Sequence, residues 1–230
     1  YIHRYGVVPD ENPVIFTNNS STFSLVDSLL TLGHKPKAYI DVRDQKKIEK
    51  ETLDLLTKHG IPLYAKSEIE GCDGKNEVQK VSVRVKKDKI IKIKTSMLCV
   101  SGGFNPDIHL FTQSKGLIKW DDSLLTFKAD KPFQNTITLG SVSGNFSYEK
   151  IVDEINKKLN SLEGVNSLQL KLDINGSKKF QIKEFWETKH AKKSFWSKSF
   201  IDLQNDVTTK DLKQAVLEGF NRIEHLKRFT

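Results

Sequence analysis

The amino-acid sequence predicts an α/β fold in which short parallel strands are joined by helices and one β-hairpin is inserted. The first observation is an apolar run of buried-strand type at residues 14–17, followed by a capping turn, a helical pattern over residues 23–32 and a second strand at residues 37–42. Two short parallel strands connected by one helix form a right-handed βαβ unit. The second observation is the alternation of valines and isoleucines over residues 77–85 and 90–94, which predicts two half-exposed antiparallel strands.

The third observation is a very apolar strand at residues 97–100, which returns the chain to the parallel core and ends at a pair of glycines. A helix over residues 49–59 and a strand over residues 61–64 complete the parallel part before the hairpin. Parallel βαβ units, a hairpin insertion and a final core strand are together the plan of a Rossmann-like nucleotide-binding domain. The type is that of flavoproteins with two dinucleotide domains, similar to the pyridine nucleotide-disulfide reductases.

The two ends of the chain carry helical patterns. Residues 1–5 read as the last turn of a helix closed by Gly6, and no Met precedes Tyr1, so we expect the chain to be a piece of a longer protein. A short strand at residues 136–139 leads through a turn rich in glycine and serine into a helix over residues 148–159. After an irregular stretch, a last amphipathic helix is predicted over residues 210–229, capped at Thr208.

The chain is basic, yet its charge pattern does not favour nucleic acid. Its 230 residues hold 37 Lys+Arg against 29 Asp+Glu, for a net charge of +8 and a pI near 9.3. Only five of the cations are arginines, whose planar fork suits phosphate and guanine, and the lysines are scattered in pairs along every segment. No apolar run approaches the roughly 18 residues of a membrane helix, and two cysteines form no disulfide framework. We expect no nucleic-acid partner, no membrane span and a cytoplasmic location.

The turn after the first strand is where a dinucleotide fold holds its G-x-G-x-x-G sequence. Here residues 17–22 read TNNSST and offer no glycine, although Asp41 ends the second strand about where a ribose-binding carboxylate belongs. Two interpretations stay open. The turn either lines a second nucleotide pocket, or it is a helix cap beside a strand-end carboxylate in a domain that no longer binds a nucleotide. The missing glycine favours the second.

Two other turns are candidates for contact with a cofactor. The end of the strand at residues 97–100 continues with small residues into an Asn-Pro turn, so that a cofactor can come close to the backbone. The turn before the helix at residues 148–159 can direct backbone N–H groups at a phosphate. The predicted cofactor-binding residues are Ser101, Gly102, Gly103, Asn105, Gly140, Ser141, Ser143, Gly144 and Asn145.

The sequence contains no recognisable catalytic apparatus. The histidines stand alone among polar neighbours, and no pair of them has the spacing of metal ligands, so no metal site is predicted. Cys99 lies in an apolar strand, where a cysteine is more often a small core residue than a nucleophile. No acid pair, catalytic triad or P-loop is visible, and no catalytic residue is assigned.

Three parts of the chain, taken in order, carry a resemblance to a known family. They are YIHRYGV at residues 1–7 with VIFTNN at 14–19; CVSGGFNP at 99–106 with HLFTQSKG at 109–116; and DLQNDVT at 202–208 with EGF at 218–220 and EHLKRFT at 224–230. In this order the segments resemble the alpha subunit of heterotetrameric sarcosine oxidases over the whole chain. That subunit is several times longer than this sequence.

The resemblance implies an oxidoreductase that demethylates sarcosine to glycine, with oxygen reduced to peroxide and tetrahydrofolate accepting the one-carbon unit. It implies flavins on the beta subunit, NAD on the alpha subunit, and beta, gamma and delta subunits as partners. Residues 1–125 would form the second, NAD(P)H-type domain, residues 126–164 the return segment of the first nucleotide-binding domain, and residues 165–230 an irregular linker plus a C-terminal helix toward a folate-binding domain. The turn at residues 140–145 would approach the NAD of the first domain as a secondary contributor.

Two alternatives from other classes remain at this point. One is an autonomous pyridine-nucleotide-dependent reductase domain, which needs the glycine-rich turn that residues 17–22 lack. The other is a basic interaction module that acts through the lysines and aromatic side chains of residues 180–200.

Overall fold

The computed structural model describes residues 1–8, 11–161, 180–188 and 197–230. The chain divides into two units, Tyr1–Trp186 and Glu187–Thr230. The division into parts at residues 125 and 164 stays a prediction. Among the described residues, no helix is both long enough and apolar enough to cross a membrane.

The helices and strands are numbered in chain order. The helices are α1 (Ile2–Tyr5), α2 (Phe23–Thr31), α3 (Lys50–Lys58), α4 (His109–Gln113), α5 (Tyr148–Leu159), α6 (Thr209–Leu217) and α7 (Ile223–Phe229). The strands are β1 (Val14–Thr17), β2 (Ala38–Asp41), β3 (Leu63–Ala65), β4 (Glu68–Asp73), β5 (Lys80–Arg84), β6 (Ile90–Lys94), β7 (Leu98–Ser101), β8 (Leu117–Asp121), β9 (Thr126–Lys131), β10 (Phe200–Asp202) and β11 (Val207–Thr208).

A four-stranded parallel sheet of order β3-β2-β1-β7 forms the centre of the first unit. Side chains of a strand alternate between its two faces, and β1 uses both. Ile15 packs against Val26 and Leu29 of α2 and against Leu56 of α3. Val14 and Phe16 face the other way, toward Val81 and Val83 of β5. The sheet is therefore covered by helices on one face and by an antiparallel sheet on the other, which confirms the predicted α/β class.

The antiparallel insertion is larger than the sequence predicts. It has three strands in the order β4-β5-β6, and β4 was not predicted because its residues are mostly polar with a glycine in the middle. Cross-strand ion pairs hold β4 in register: Arg84 bonds Glu70 at 2.5 Å and Lys80 pairs with Asp73 at 3.3 Å. A three-stranded antiparallel sheet before the last parallel strand is the topology of the predicted flavoprotein-type nucleotide-binding domain.

The predicted strand at residues 136–139 is wrong. A strand needs a neighbour for its backbone hydrogen bonds, and none pairs with this segment in the described part of the chain. A short 3₁₀ turn, Gly140–Ser143, follows it directly. The helix after this turn is confirmed as α5. Just before it along the chain, β8 and β9 form an antiparallel hairpin that the sequence reading did not foresee.

In the second unit the predicted C-terminal helix begins where the sequence indicates but ends early. Thr208 and Asp211 form a reciprocal capping box at the start of α6. The predicted single helix over residues 210–229 is wrong, because α6 ends at Leu217 and α7 begins at Ile223. Gly219 between them has a φ of 92°, in the left-handed region that only glycine enters at little cost.

Candidate functional site

The predicted nucleotide turn lies at the carboxyl end of β1 and is held by its own side chains. Asn19 caps the following 3₁₀ turn, accepting from the backbone N–H of Ser21 at 2.9 Å, as the capping pattern predicts. The Asn19 amide also donates to the carbonyl and the hydroxyl of Ser101, at 3.1 and 3.2 Å. The buried Asn19 side chain therefore ties the turn to the end of β7, and Ser101 is part of that tie.

The carboxylate expected for a ribose is bound to an arginine of the same strand end. Asp41 is fully buried, and Arg43, with 2% of its side chain exposed, donates to it from Nε and from Nη2, the latter at 2.8 Å. Arg43 also donates to Glu49 at 3.2 Å and to the carbonyl of Asn19 at 3.1 Å. Both Asp41 oxygens are thereby occupied by groups of the protein itself.

The electrostatics of this network follow from its burial and its charges. Burial alone would lower the pKa of Arg43, but its hydrogen bond to Asp41 and the charges of Asp41 and Glu49 outweigh burial and raise that pKa. Burial raises the pKa of the Tyr39 phenol to about 12, although Tyr39 shares a 2.6 Å hydrogen bond with the Thr22 hydroxyl. Arg43 therefore stays protonated and Tyr39 stays neutral throughout the physiological pH range.

A distant stretch of the chain lies over the same turn. We call residues 180–186 the covering segment. It forms an antiparallel bridge between Ile182 and Asn19. The Lys183 backbone N–H donates to the Asn18 backbone carbonyl, and the Asn18 side-chain amide donates to the Lys183 carbonyl, both at 2.9 Å. The Ser20 backbone N–H donates to the Gln181 carbonyl at 3.0 Å. The covering segment thus occupies the Ser20 backbone N–H, a donor that a phosphate bound at this turn would need.

Side chains of the covering segment fill the space beside the turn. Phe185 packs edge-on against Phe16, with ring centroids 5.6 Å apart, and the Lys183 ammonium donates to the Val42 carbonyl at 2.8 Å. A Cβ on Gly103 would lie 2.8 Å from the Ile182 side chain, so the glycine permits this close approach. The small size of Gly103 thus gives room to the covering segment, which comes as close to the backbone here as a cofactor could.

The other predicted residues at the end of β7 line a small cavity. Gly102, Gly103 and Asn105 border a space of about 130 Å³ beside the covering segment. Asn105 accepts a hydrogen bond from the Thr126 hydroxyl at 3.0 Å. The cavity is far smaller than a dinucleotide needs. The binding role of these residues stays a prediction.

The predicted turn at residues 140–145 is organised by a carboxylate from the helix it precedes. Glu154 accepts from the backbone N–H of Gly140 at 3.0 Å and from the side-chain amide of Asn145 at 2.9 Å. The role of Glu154 was not predicted from the sequence, because it depends on how α5 packs against the turn that precedes it. Ser143 donates to Thr138 at 3.3 Å.

A larger cleft borders this turn, and we call it the basic cleft. It has a volume of about 700 Å³ and brings together three of the predicted residues, Ser143, Gly144 and Asn145, whereas Gly140 and Ser141 do not line it. Its ionisable lining residues are Lys46, Lys47, Glu49, Asp121, Lys128 and Lys150. No role was predicted for Lys46 and Lys47 from the sequence. Their pairing signalled only a solvated surface.

Asp121 in the basic cleft is held in its ionised form. Its hydrogen bonds from Lys128 at 2.5 Å and from the Ser123 hydroxyl at 2.6 Å lower its pKa from 3.8 to about 2. A lowered folded-state pKa contributes stability that is complete above the unfolded value and is lost as the pH falls from about 4 through 2.

Replacing Asp121 by asparagine is therefore expected to cost about 1 kcal/mol at pH 7. The cost should shrink as the pH falls from about 4 toward 2. Urea unfolding of both proteins at pH 7 and pH 3 measures the difference. The matched control is Asp122→Asn on the same hairpin, which bonds Trp120 rather than a lysine. A cost that does not change with pH would contradict the assignment.

The topology defines this chain as a Rossmann-like nucleotide-binding-type domain with a flavoprotein-type insertion. Comparisons with known proteins then name its relatives. The whole chain is 27% identical to the alpha subunit of sarcosine oxidase from Rhizobium meliloti (strain 1021) and 24% identical to that of Corynebacterium sp. (strain P-1). It covers 23% and 25% of those proteins, so it spans about a quarter of their length.

The C-terminal part carries a separate match. Residues 196–230 match the model of the sarcosine oxidase A3 domain. The resemblance expected from the sequence is thus confirmed: the chain is related along its full length to sarcosine oxidase alpha subunits.

Two solved structures are similar to parts or all of the chain. L-proline dehydrogenase from P. horikoshii matches all of this chain and 42% of its own, with a TM-score of 0.49 and 14% identity. Thioredoxin reductase from T. acidophilum matches 60% of this chain and 46% of its own, with a TM-score of 0.46 and 15% identity.

The basic-module alternative stays a prediction. Of the stretch at residues 180–200 on which it depends, residues 189–196 lie outside the described part of the chain.

Proposed function

We propose that this chain is a non-catalytic part of the alpha subunit of an oxidoreductase of the sarcosine oxidase kind. The observation that carries the proposal is the similarity to sarcosine oxidase alpha subunits along the entire chain. The parent enzyme would oxidise sarcosine to glycine in the cytoplasm, with peroxide as the product of oxygen and tetrahydrofolate as the one-carbon acceptor. Its flavins would lie on a beta subunit, and gamma and delta subunits would complete the assembly.

Within that subunit the chain would act as a scaffold and contribute to NAD binding. A dinucleotide could lie at two places on the chain, and the residues present at each place decide whether it fits. Over the β1 turn they do not fit one, because Arg43 occupies both oxygens of Asp41 and the covering segment bonds the backbone of Asn18 and Ser20. The basic cleft does fit one in size and charge.

The contribution of this chain to NAD would therefore come from the basic cleft, next to Ser143, Gly144 and Asn145. When bound, NAD supplies hydride-transfer chemistry. The chain itself would hold the phosphate groups of NAD. The principal pyrophosphate turn with its glycines would belong to another part of the parent subunit.

Calorimetric titration of the 230-residue chain with NAD tests this division of roles. We expect no micromolar binding, because the chain supplies only secondary contacts, and no sarcosine-dependent formation of peroxide. Micromolar affinity for NAD would contradict the proposed secondary role and favour an autonomous nucleotide-binding domain. Peroxide formation by the chain alone would contradict its non-catalytic assignment.

A further inference from the structure

The basic cleft has an excess of positive charge that the described residues do not neutralise. Four lysines line it, against the two carboxylates Asp121 and Glu49. Lys128 is paired with Asp121. Glu49 shares the single cation Arg43 with Asp41. Counting the lining residues and their direct ion-pair partners gives five cations against three carboxylates, an excess of two positive charges.

The excess is concentrated on three lysines from two separate elements. Lys46 and Lys47 follow β2, and Lys150 lies in the first turn of α5. None of the three has an ion pair within the part of the chain that the structure describes. Like charges around one cleft repel, and a bound dianion removes that repulsion.

The cleft also has an aromatic wall. Phe146 and Phe180 line it, with ring centroids 5.5 Å apart and a tilt of 36°. An apolar wall beside a cationic rim suits a ligand with a flat ring and a phosphate group. Three polar neutral side chains of the lining are turned to the protein, since Ser123 bonds Asp121, Ser143 bonds Thr138 and Asn145 bonds Glu154. Ligand recognition therefore falls to the lysines.

We propose that the basic cleft binds a diphosphate group through Lys46, Lys47 and Lys150. The inference rests on the proposed dinucleotide role and specifies the part of the ligand that this chain holds. A diphosphate diester carries two negative charges, which matches the excess of the cleft. Lysines act here as point charges, so the site recognises charge and distance rather than a fixed hydrogen-bond geometry.

The test compares two triple variants by titration with inorganic pyrophosphate at low ionic strength. The cleft variant is Lys46→Gln, Lys47→Gln and Lys150→Gln. The matched control is Lys58→Gln, Lys75→Gln and Lys92→Gln, which removes three exposed lysines outside the cleft lining. Both variants lower the net charge by three, so nonspecific attraction is equal in the two.

We expect at least a tenfold loss of pyrophosphate affinity in the cleft variant, about 1.4 kcal/mol, and less than a twofold change in the control. Equal losses in both variants, or no loss in either, would overturn the inference. Circular dichroism of both variants checks that the fold is kept.

A parallel titration separates this inference from the proposed function. NAD and adenosine are tested on the same proteins. Lysine-dependent binding of pyrophosphate without any binding of NAD at millimolar concentration would support the diphosphate site and contradict the dinucleotide role, whereas millimolar affinity for NAD agrees with both. Binding of NAD and adenosine that ignores the three lysines would overturn the diphosphate site and leave the dinucleotide role in place.

Discussion

Replacing Arg43 by methionine is expected to lower the free energy of unfolding by about 3 to 5 kcal/mol, because it leaves two carboxylates without their cation in the interior. Asp41 is fully buried and Glu49 is 13% exposed, so water cannot replace the guanidinium at either group without opening the turn. The carbonyl of Asn19 loses one of its donors in the same substitution and keeps the Thr17 hydroxyl. Urea unfolding followed by circular dichroism measures the loss.

The matched control for Arg43 is Arg84→Met on the antiparallel sheet. Arg84 also bonds carboxylates, but it is 18% exposed. Its partners Glu68, Glu70 and Asp88 are 15%, 14% and 87% exposed, so none is fully buried as Asp41 is. We expect a loss of about 1 kcal/mol there. A second variant, Arg43→Lys, keeps the positive charge and loses the planar guanidinium with its several donors. Its free energy of unfolding should lie between those of the wild type and Arg43→Met. Equal costs for Arg43→Met and Arg84→Met would contradict the account.

Replacing Asn19 by alanine is expected to cost about 2 to 3 kcal/mol. The substitution removes the cap of the turn and takes the hydrogen bonds of the Asn19 side chain from the half-buried Ser21 N–H and Ser101 carbonyl. Thermal and urea unfolding both report this loss, which falls in the first unit of the chain.

Two further variants separate the roles of the Asn19 side chain. Asn19→Asp keeps an acceptor for Ser21 but sets a buried carboxylate oxygen against the Ser101 carbonyl and Asn18 Oδ1, to which the Asn19 amide donates, so it should cost at least as much as alanine at pH 7. Asn205→Ala removes an exposed asparagine that bonds Asp202 and should cost less than about 0.5 kcal/mol. If Asn19→Ala is no worse than Asn205→Ala, the turn is not held as described.

The parallel strands could be predicted from the sequence because each is a short apolar run between turn residues. The predicted strand at residues 14–17 coincides with β1, and that at residues 37–42 contains β2. The strand β4 could not, because an edge strand held by Glu70 and Arg84 has no apolar alternation to reveal it. The break at Gly219 follows from a glycine inside a helical pattern, a signal that is ambiguous until the backbone is seen.

The candidate site was predictable only in part. The missing glycine at residues 17–22 weakened the case for a nucleotide there, and this stays a prediction. The partner of Asn18, Lys183, is 165 residues away, and no local pattern can indicate such a pairing. Arg43 offered a faint signal, since an arginine two residues after a buried strand-end aspartate can fold back on it. The basic cleft is lined by four separate segments, at residues 46–49, 121–128, 143–150 and 180–182, and could not be predicted from any one of them.

Native-state hydrogen exchange at the Ser20 and Lys183 backbone amides tests most directly the central claim, that the chain itself fills the crevice over the β1 turn. These amides bond the Gln181 and Asn18 carbonyls. The account predicts that both exchange at least about a hundredfold more slowly than open amides in the free chain, and that millimolar NAD leaves their rates unchanged. Fast exchange in the free chain, with protection appearing only on addition of NAD, would contradict it.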